Sequence, residues 1–337
     1  MKLCILFTQL DNLITQAIAV HLLKEGNRII GVVADEEEKE AILALLKGHL
    51  DDLSQLNLVV GSARKLTAIE PYLAHCDALI HTISIIPFYK GDQLIDWMRT
   101  RYHDSILWLE IAKENQIRKI IFGKSVLGLR YRKDTYTSYL YDGQSDMEPD
   151  WPSLPPLSTQ LVKLDQAVWQ YVHENQMSND FICCYIGAVL GPCKGYTQSP
   201  LVAILRKFIA GKYLLIPNFY VPMIDIRDIT TAYSRILQSD LYNHHRLILA
   251  NNSFYLGDLI KIIRTIAPDK STHLPKYHVP NIMTPMIKKL QPDLAHYFDE
   301  LGDKIIANND YTRQILDMTF IDFDEAAKAM IRDLLNH

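Results

Sequence analysis

From the first residues to about position 190, continuous apolar runs of strand length alternate with stretches whose apolar positions recur at helical spacing. Leu3 to Phe7 is the first such run and reads as a buried parallel strand. After a polar turn, Leu13, Ile14, Ala17, Ile18, Leu22 and Leu23 mark a helix, with Asn12 as its N-cap and Gly26 as its stop. Arg28 to Ala34 gives a second strand, and the acidic run Asp35 to Glu38 leads into a helix around Ile42 to Leu50. Leu56 to Val60 gives a third strand and Cys76 to His81 a fourth. A helix over about Gln93 to Asn115 then precedes a fifth strand at Lys119 to Phe122. Phe181 to Leu190 reads as one further buried strand. Strands and helices in this alternation predict an α/β fold built on a doubly wound parallel sheet.

Composition narrows the function classes more than the fold. The 337 residues suffice for one large core with a smaller cap, and 48% hydrophobic with 22% charged residues is ordinary for a soluble globular protein. A formal net charge of −4 without a long basic run argues against nucleic acid or an anionic membrane surface as partner. Phe181 to Leu190 is too short to span a bilayer, and Gln9, Asp11 and Asn12 interrupt the opening apolar stretch before a signal-peptide core develops. The five cysteines form no C-x-x-C pair, and Cys4, Cys183 and Cys184 sit inside apolar runs. Reduced, buried thiols and a cytoplasmic location are therefore expected.

A strand that feeds a helix is where open α/β sheets bind nucleotide phosphates, because first-turn N–H groups and the helix dipole favour an anion. The usual turn needs glycines for tightness and close backbone approach, yet Thr8 to Gln16 contains none. Later, Lys119 to Ser125 runs into Gly123-Lys124-Ser125, which is no P-loop because Arg118 stands where the upstream glycine is required. Between Gly128 and Thr159 lies a polar stretch that combines Arg130, Arg132 and Lys133 with Tyr131, Tyr136, Tyr139 and Tyr141. Its prolines at 149, 152, 155 and 156 predict irregular structure, and a basic, aromatic loop suits an anionic or ring-bearing ligand as well as plain solvent.

Several landmarks together resemble the extended short-chain dehydrogenase/reductase superfamily, in particular its dihydroflavonol-reductase-like and NAD-dependent epimerase/dehydratase branches. They are Cys76-Asp77-Ala78-Leu79-Ile80-His81, the strand ending at Ser125, Val189-Leu190-Gly191-Pro192, and Val221 to Asp228, in that order. The resemblance implies a Rossmann-like core over 1–180 and 215–250, with a smaller cap from 190–214 and 251–337. It also implies a T-G-x-x-G-x-x-G turn. Aligned on Thr8, this chain has Gln9, Asn12 and Thr15 at the three glycine positions, and Asp11 adds a negative charge, so the ordinary pyrophosphate site is expected to be absent.

If a dinucleotide binds, Asp35 at the end of the second strand favours NAD over NADP; as an alternative, the acidic run simply opens the next helix. By resemblance Ser125 polarises the substrate, while the family's Y-x-x-x-K falls on Thr159 and Lys163; none of the 18 tyrosines begins such a motif. A threonine hydroxyl is too weak an acid to replace the phenol. The substrate-facing loop would contribute Arg130, Tyr131, Arg132, Tyr136 and Tyr139, one of whose phenols could fold over the site. His81 reads as a structural residue, and Asp228 as the cap of the following helix. The helix near Ser158 has two apolar faces and suggests a homodimer. Two functions follow. One is a pseudoenzyme that binds a small molecule or protein partner; the other is an atypical NAD(P)-dependent oxidoreductase or sugar-nucleotide epimerase/dehydratase using Ser125 and Lys163.

Overall fold

The computed structural model describes residues 2–83, 92–132, 137–140, 154, 156–196, 199–213, 215–240, 242, 245–278 and 304–336. The first half builds β1 (Cys4–Phe7), α1 (Leu13–Lys24), β2 (Arg28–Val33), α2 (Glu36–Lys47), β3 (Leu56–Val60), the single turn α3 (Glu70–Leu73), β4 (Ala78–Ile83), α4 (Asp92–Glu114) and β5 (Lys119–Ser125). A hairpin of β6 (Arg130–Arg132) and β7 (Thr137–Leu140) precedes α5 (Pro156–Glu174), β8 (Phe181–Ile186) and β9 (Ala188–Leu190). Then come α6 (Pro200–Ile209), β10 (Leu215–Ile216), β11 (Tyr220–Asp225), α7 (Ile226–Gln238), β12 (His245–Leu249), β13 (Ser253–Tyr255) and α8 (Leu256–Ile266). Described last are β14 (Tyr277–His278), β15 (Lys304–Ile306), α9 (Asp310–Ile315) and α10 (Phe323–Leu335).

Among the described residues, seven strands form one parallel sheet in the order β12-β8-β5-β4-β1-β2-β3. Ile5 lies between Ile29 on one side and Ala78 on the other, so the strand order reverses between β1 and β4. That reversal opens a crevice at the carboxyl ends of the strands, where ligands of such sheets bind. Side chains alternate across the sheet. Ile5, Phe7 and Ile121 join α1 and α7 on one face, whereas Leu6, Ile120 and Phe122 join α4 and α5 on the other. A third core gathers α6, α8, α10 and the small sheet β13-β11-β9 into a cap.

The structure departs from the sequence expectations at several places. The apolar run 181–190 is two strands in two sheets, and Gly187 stands at the junction, where a Cβ would lie 2.6 Å from the Pro222 carbonyl oxygen. The proline-containing loop holds regular structure at its start: β6 pairs antiparallel with β7, and β7 pairs parallel with β15. Segment 215–250 is divided, with β11 in the small sheet and α7 and β12 in the main core; Leu316 and Met318 also pack into that core. Asp225, not Asp228, caps α7 by accepting from the Arg227 N–H. Asp228 instead accepts from the Ile321 N–H, and burial raises its carboxyl to about 6. No helix among the described residues is long and apolar enough to cross a membrane.

Candidate functional site

Between β1 and α1 the chain replaces a glycine turn by one that is tied down with its own side chains. Asn12 caps α1, and its Oδ1 accepts from the N–H groups of Ile14 and Thr15, each at 3.1 Å. Thr15 is fully buried and donates its hydroxyl to the Asn12 carbonyl, while Gln16 donates to the Leu10 carbonyl at 2.9 Å. Leu10 fills the space above Gly31, where a Cβ would collide with its methyl. The fourth polar side chain closes the crevice itself. Gln9 donates to the Thr82 carbonyl at the end of β4 and accepts from Arg101 Nη1 at 3.1 Å, so it bridges β1, β4 and α4 across the point where the strand order reverses.

Beneath this bridge His81 is fully enclosed. Ser105 Oγ donates to the Arg101 carbonyl and therefore accepts from His81 Nε2; Nδ1 then accepts from Thr8 Oγ1 at 2.7 Å. Burial, and after it the charges of Arg101 and Lys124, lower the imidazole to about 3, so the ring is neutral. On the far side, Asp35 caps α2 through the Glu38 N–H, and Glu38 returns to the Ala34 N–H, which is a capping arrangement. The acidic run thus opens a helix.

Ser125 ends β5 and starts a 3₁₀ turn by accepting from the Leu127 N–H at 3.3 Å. Ser125 lines two cavities. One, of about 120 Å³, is walled by apolar side chains that include Ile14, Ile186, Val189, Ile204 and Val221. The other, of about 50 Å³, lies between β5, α4 and α5 and carries Arg101, Tyr102, Lys124 and Asp165 among its walls. Lys124 Nζ donates to Asp165 Oδ1 at 3.0 Å, Tyr185 donates to the same oxygen at 2.7 Å, and Trp169 Nε1 donates to Tyr185.

The expected partners of Ser125 lie elsewhere. Lys163 is exposed and lines neither cavity, because the face of α5 turned toward Ser125 is Leu161, Leu164, Asp165 and Val168. Thr159 donates to the Leu154 carbonyl at the start of the helix and also lines neither. Arg130 is fully buried and donates to Ser158, which fastens the hairpin to α5. Tyr131 and Tyr139 pack on each other with ring centroids 5.8 Å apart, and neither lines either cavity. Tyr136 and the side chain of Arg132 lie outside the described residues. Sequence reasoning missed Arg101, Lys124 and Asp165. An acid at position 165 interrupts the apolar stripe formed by Leu161, Leu164 and Val168, and that was the available signal.

No family model matches the chain. An uncharacterized oxidoreductase of Schizosaccharomyces pombe is 25% identical over 293 residues, which is 79% of this chain and 83% of that protein. Another of Saccharomyces cerevisiae is 22% identical over 280 residues, 75% of this chain and 79% of that one. Among solved structures, gox2253 superposes with a TM-score of 0.78 at 16% identity, over 100% of this chain and 99% of that chain. Yeast methylglyoxal/isovaleraldehyde reductase Gre2, complexed with NADPH, gives 0.72 at 17% identity, over 99% and 98%. UDP-glucose 4-epimerase from Bifidobacterium longum, with NAD+ and UDP, gives 0.68 at 14%, over 99% and 98%. The chain has the fold of the extended short-chain reductases and epimerases.

In that fold the turn after β1 would hold a pyrophosphate, and in this conformation it does not fit one. The N–H groups of Ile14 and Thr15 are occupied by Asn12, and Gln9 spans the crevice above them. Asp11, Asp35 and Glu38 also lie close enough for the first two to raise the Glu38 carboxyl, after the larger effect of burial. The fold is that of these structures, and the turn after β1 is occupied by its own side chains.

Proposed function

We propose that the protein is an atypical oxidoreductase of the short-chain reductase fold, acting on a small carbonyl or hydroxyl compound beside Ser125. The observation that carries this reading is the position of Ser125 at the carboxyl end of β5, where it lines two cavities. The two curated relatives named as oxidoreductases support it. The reading requires the Gln9 bridge to part before a dinucleotide can enter. Purified protein is assayed with NADH and with NADPH against branched and aromatic aldehydes and ketones. Substrate-dependent oxidation that Ser125→Ala abolishes is expected, and its absence from folded protein sinks the reading.

A second reading is a binding protein without hydride transfer, and the Asn12 and Gln9 contacts favour it. Calorimetric titration with both dinucleotides separates the two. Binding that strengthens in Gln9→Gly supports the oxidoreductase, and no binding in either protein supports the alternative.

A further inference from the structure

Among the described residues, the wall of the smaller cavity at Ser125 carries more positive than negative charge. Arg101 from α4 and Lys124 from β5 both line it, against one carboxylate, Asp165. Asp165 already accepts from Lys124 and Tyr185 through one oxygen, and its side chain is 7% exposed, so it is engaged inside the wall. Lys124 has one donor on Asp165 and Arg101 has one on Gln9, and an ammonium or a guanidinium carries further donors beyond one. Both cations act on His81, which stays neutral beneath them. Glu38 also feels Arg101, but it is not part of the cavity wall. The adjoining cavity is apolar, and at about 120 Å³ it approaches the roughly 150 Å³ of an engineered cavity that takes benzene.

We propose that the Ser125 cleft takes a small carboxylate-bearing compound, with its apolar tail or ring in the larger cavity and its carboxylate toward Lys124 and Arg101. Charge-assisted contacts to a carboxylate are stronger than neutral ones, and Arg offers a two-pronged geometry for them. Lys124 supplies from the strand the cation that α5 does not supply, since the helix presents Leu161 to the cavity and leaves Lys163 in solvent. The inference rests on the Ser125 cleft being the functional site and narrows its substrate to carbonyl or hydroxy acids.

The test is calorimetry on the full chain with phenylacetate and with its uncharged counterpart phenylethanol. Phenylacetate is expected to bind at least about tenfold more tightly, a difference of about 1.4 kcal/mol. Arg101→Met, and the double variant Lys124→Met/Asp165→Leu that removes both members of the ion pair, should each reduce that preference to within about threefold of unity. Phenylethanol binding should change little, which also reports that both variants are folded. Equal affinity for the two compounds in the unmodified protein, or a preference that survives both variants, overturns the inference. Phenylacetate binding without turnover of any carbonyl compound leaves the inference standing and removes the oxidoreductase reading. Turnover of neutral carbonyls without phenylacetate binding does the reverse.

Discussion

At the end of β4, His81 is enclosed without a charge of its own, between a threonine and a serine hydroxyl. Its folded value of about 3 lies below the ordinary 6.5, so the unfolded chain binds more protons between those values and stability rises with pH across that window. Asp228, raised from 3.8 to about 6, works in the opposite sense between those two values, so the comparison must be made between proteins and not read from one curve. Urea unfolding of the unmodified chain and of His81→Gln from pH 7 to pH 4 should show the variant losing less stability as pH falls, by up to about 1.4 kcal/mol per unit. The structural role of His81 was legible in the sequence, since no partner for catalysis accompanied it. Asn12 was equally legible as a cap. The sequence also placed it at a glycine position of the turn, while its occupation of two N–H groups is a feature of the folded structure. Asn12→Ala is expected to lose about 1 kcal/mol in the same unfolding assay.

At the scale of elements, α5 shows where sequence reading reached its limit. A helix near Ser158 with two apolar faces follows from spacing, and the structure starts it at Pro156, but two choices of register place either Lys163 or Leu161 toward Ser125. A shift of two residues turns a helix by more than half a revolution, which moves a side chain from the cavity to solvent. Thr159 departs from the motif's tyrosine and Lys163 matches its lysine, and the spacing alone does not say which way either side chain faces. The buried pair between β5 and α5 now fixes that register. Asp165→Ala should destabilise the protein by about 3 kcal/mol or more, because it leaves Lys124 in a largely enclosed site without its counter-charge. Lys124→Met/Asp165→Leu should recover much of that loss in thermal or urea unfolding, whereas Lys163→Met should stay within about 0.5 kcal/mol of the unmodified chain.

For the molecule as a whole, the alternation of strands and helices in a parallel sheet followed from the apolar runs because the inner strands are buried on both faces, whereas their spatial order did not. Nor did the division of the run between two sheets at Gly187, which lies against Pro222 far along the chain. Hydrogen exchange should find the slowest amides in β1, β2, β4, β5 and β8, which have neighbours on both sides, and earlier exchange in the edge strands β3 and β12. The carboxylates around the filled turn have one more consequence, for ionic strength. A reductase crevice ordinarily draws a polyanionic cofactor inward, and added salt weakens that attraction. In this chain Asp11, Asp35 and Glu38 outnumber Arg101 at that corner, so on balance salt screens a repulsion. Between about 20 and 300 mM sodium chloride, the association rate of NADPH with the Gln9→Gly protein should rise, where an ordinary anion site would show it fall.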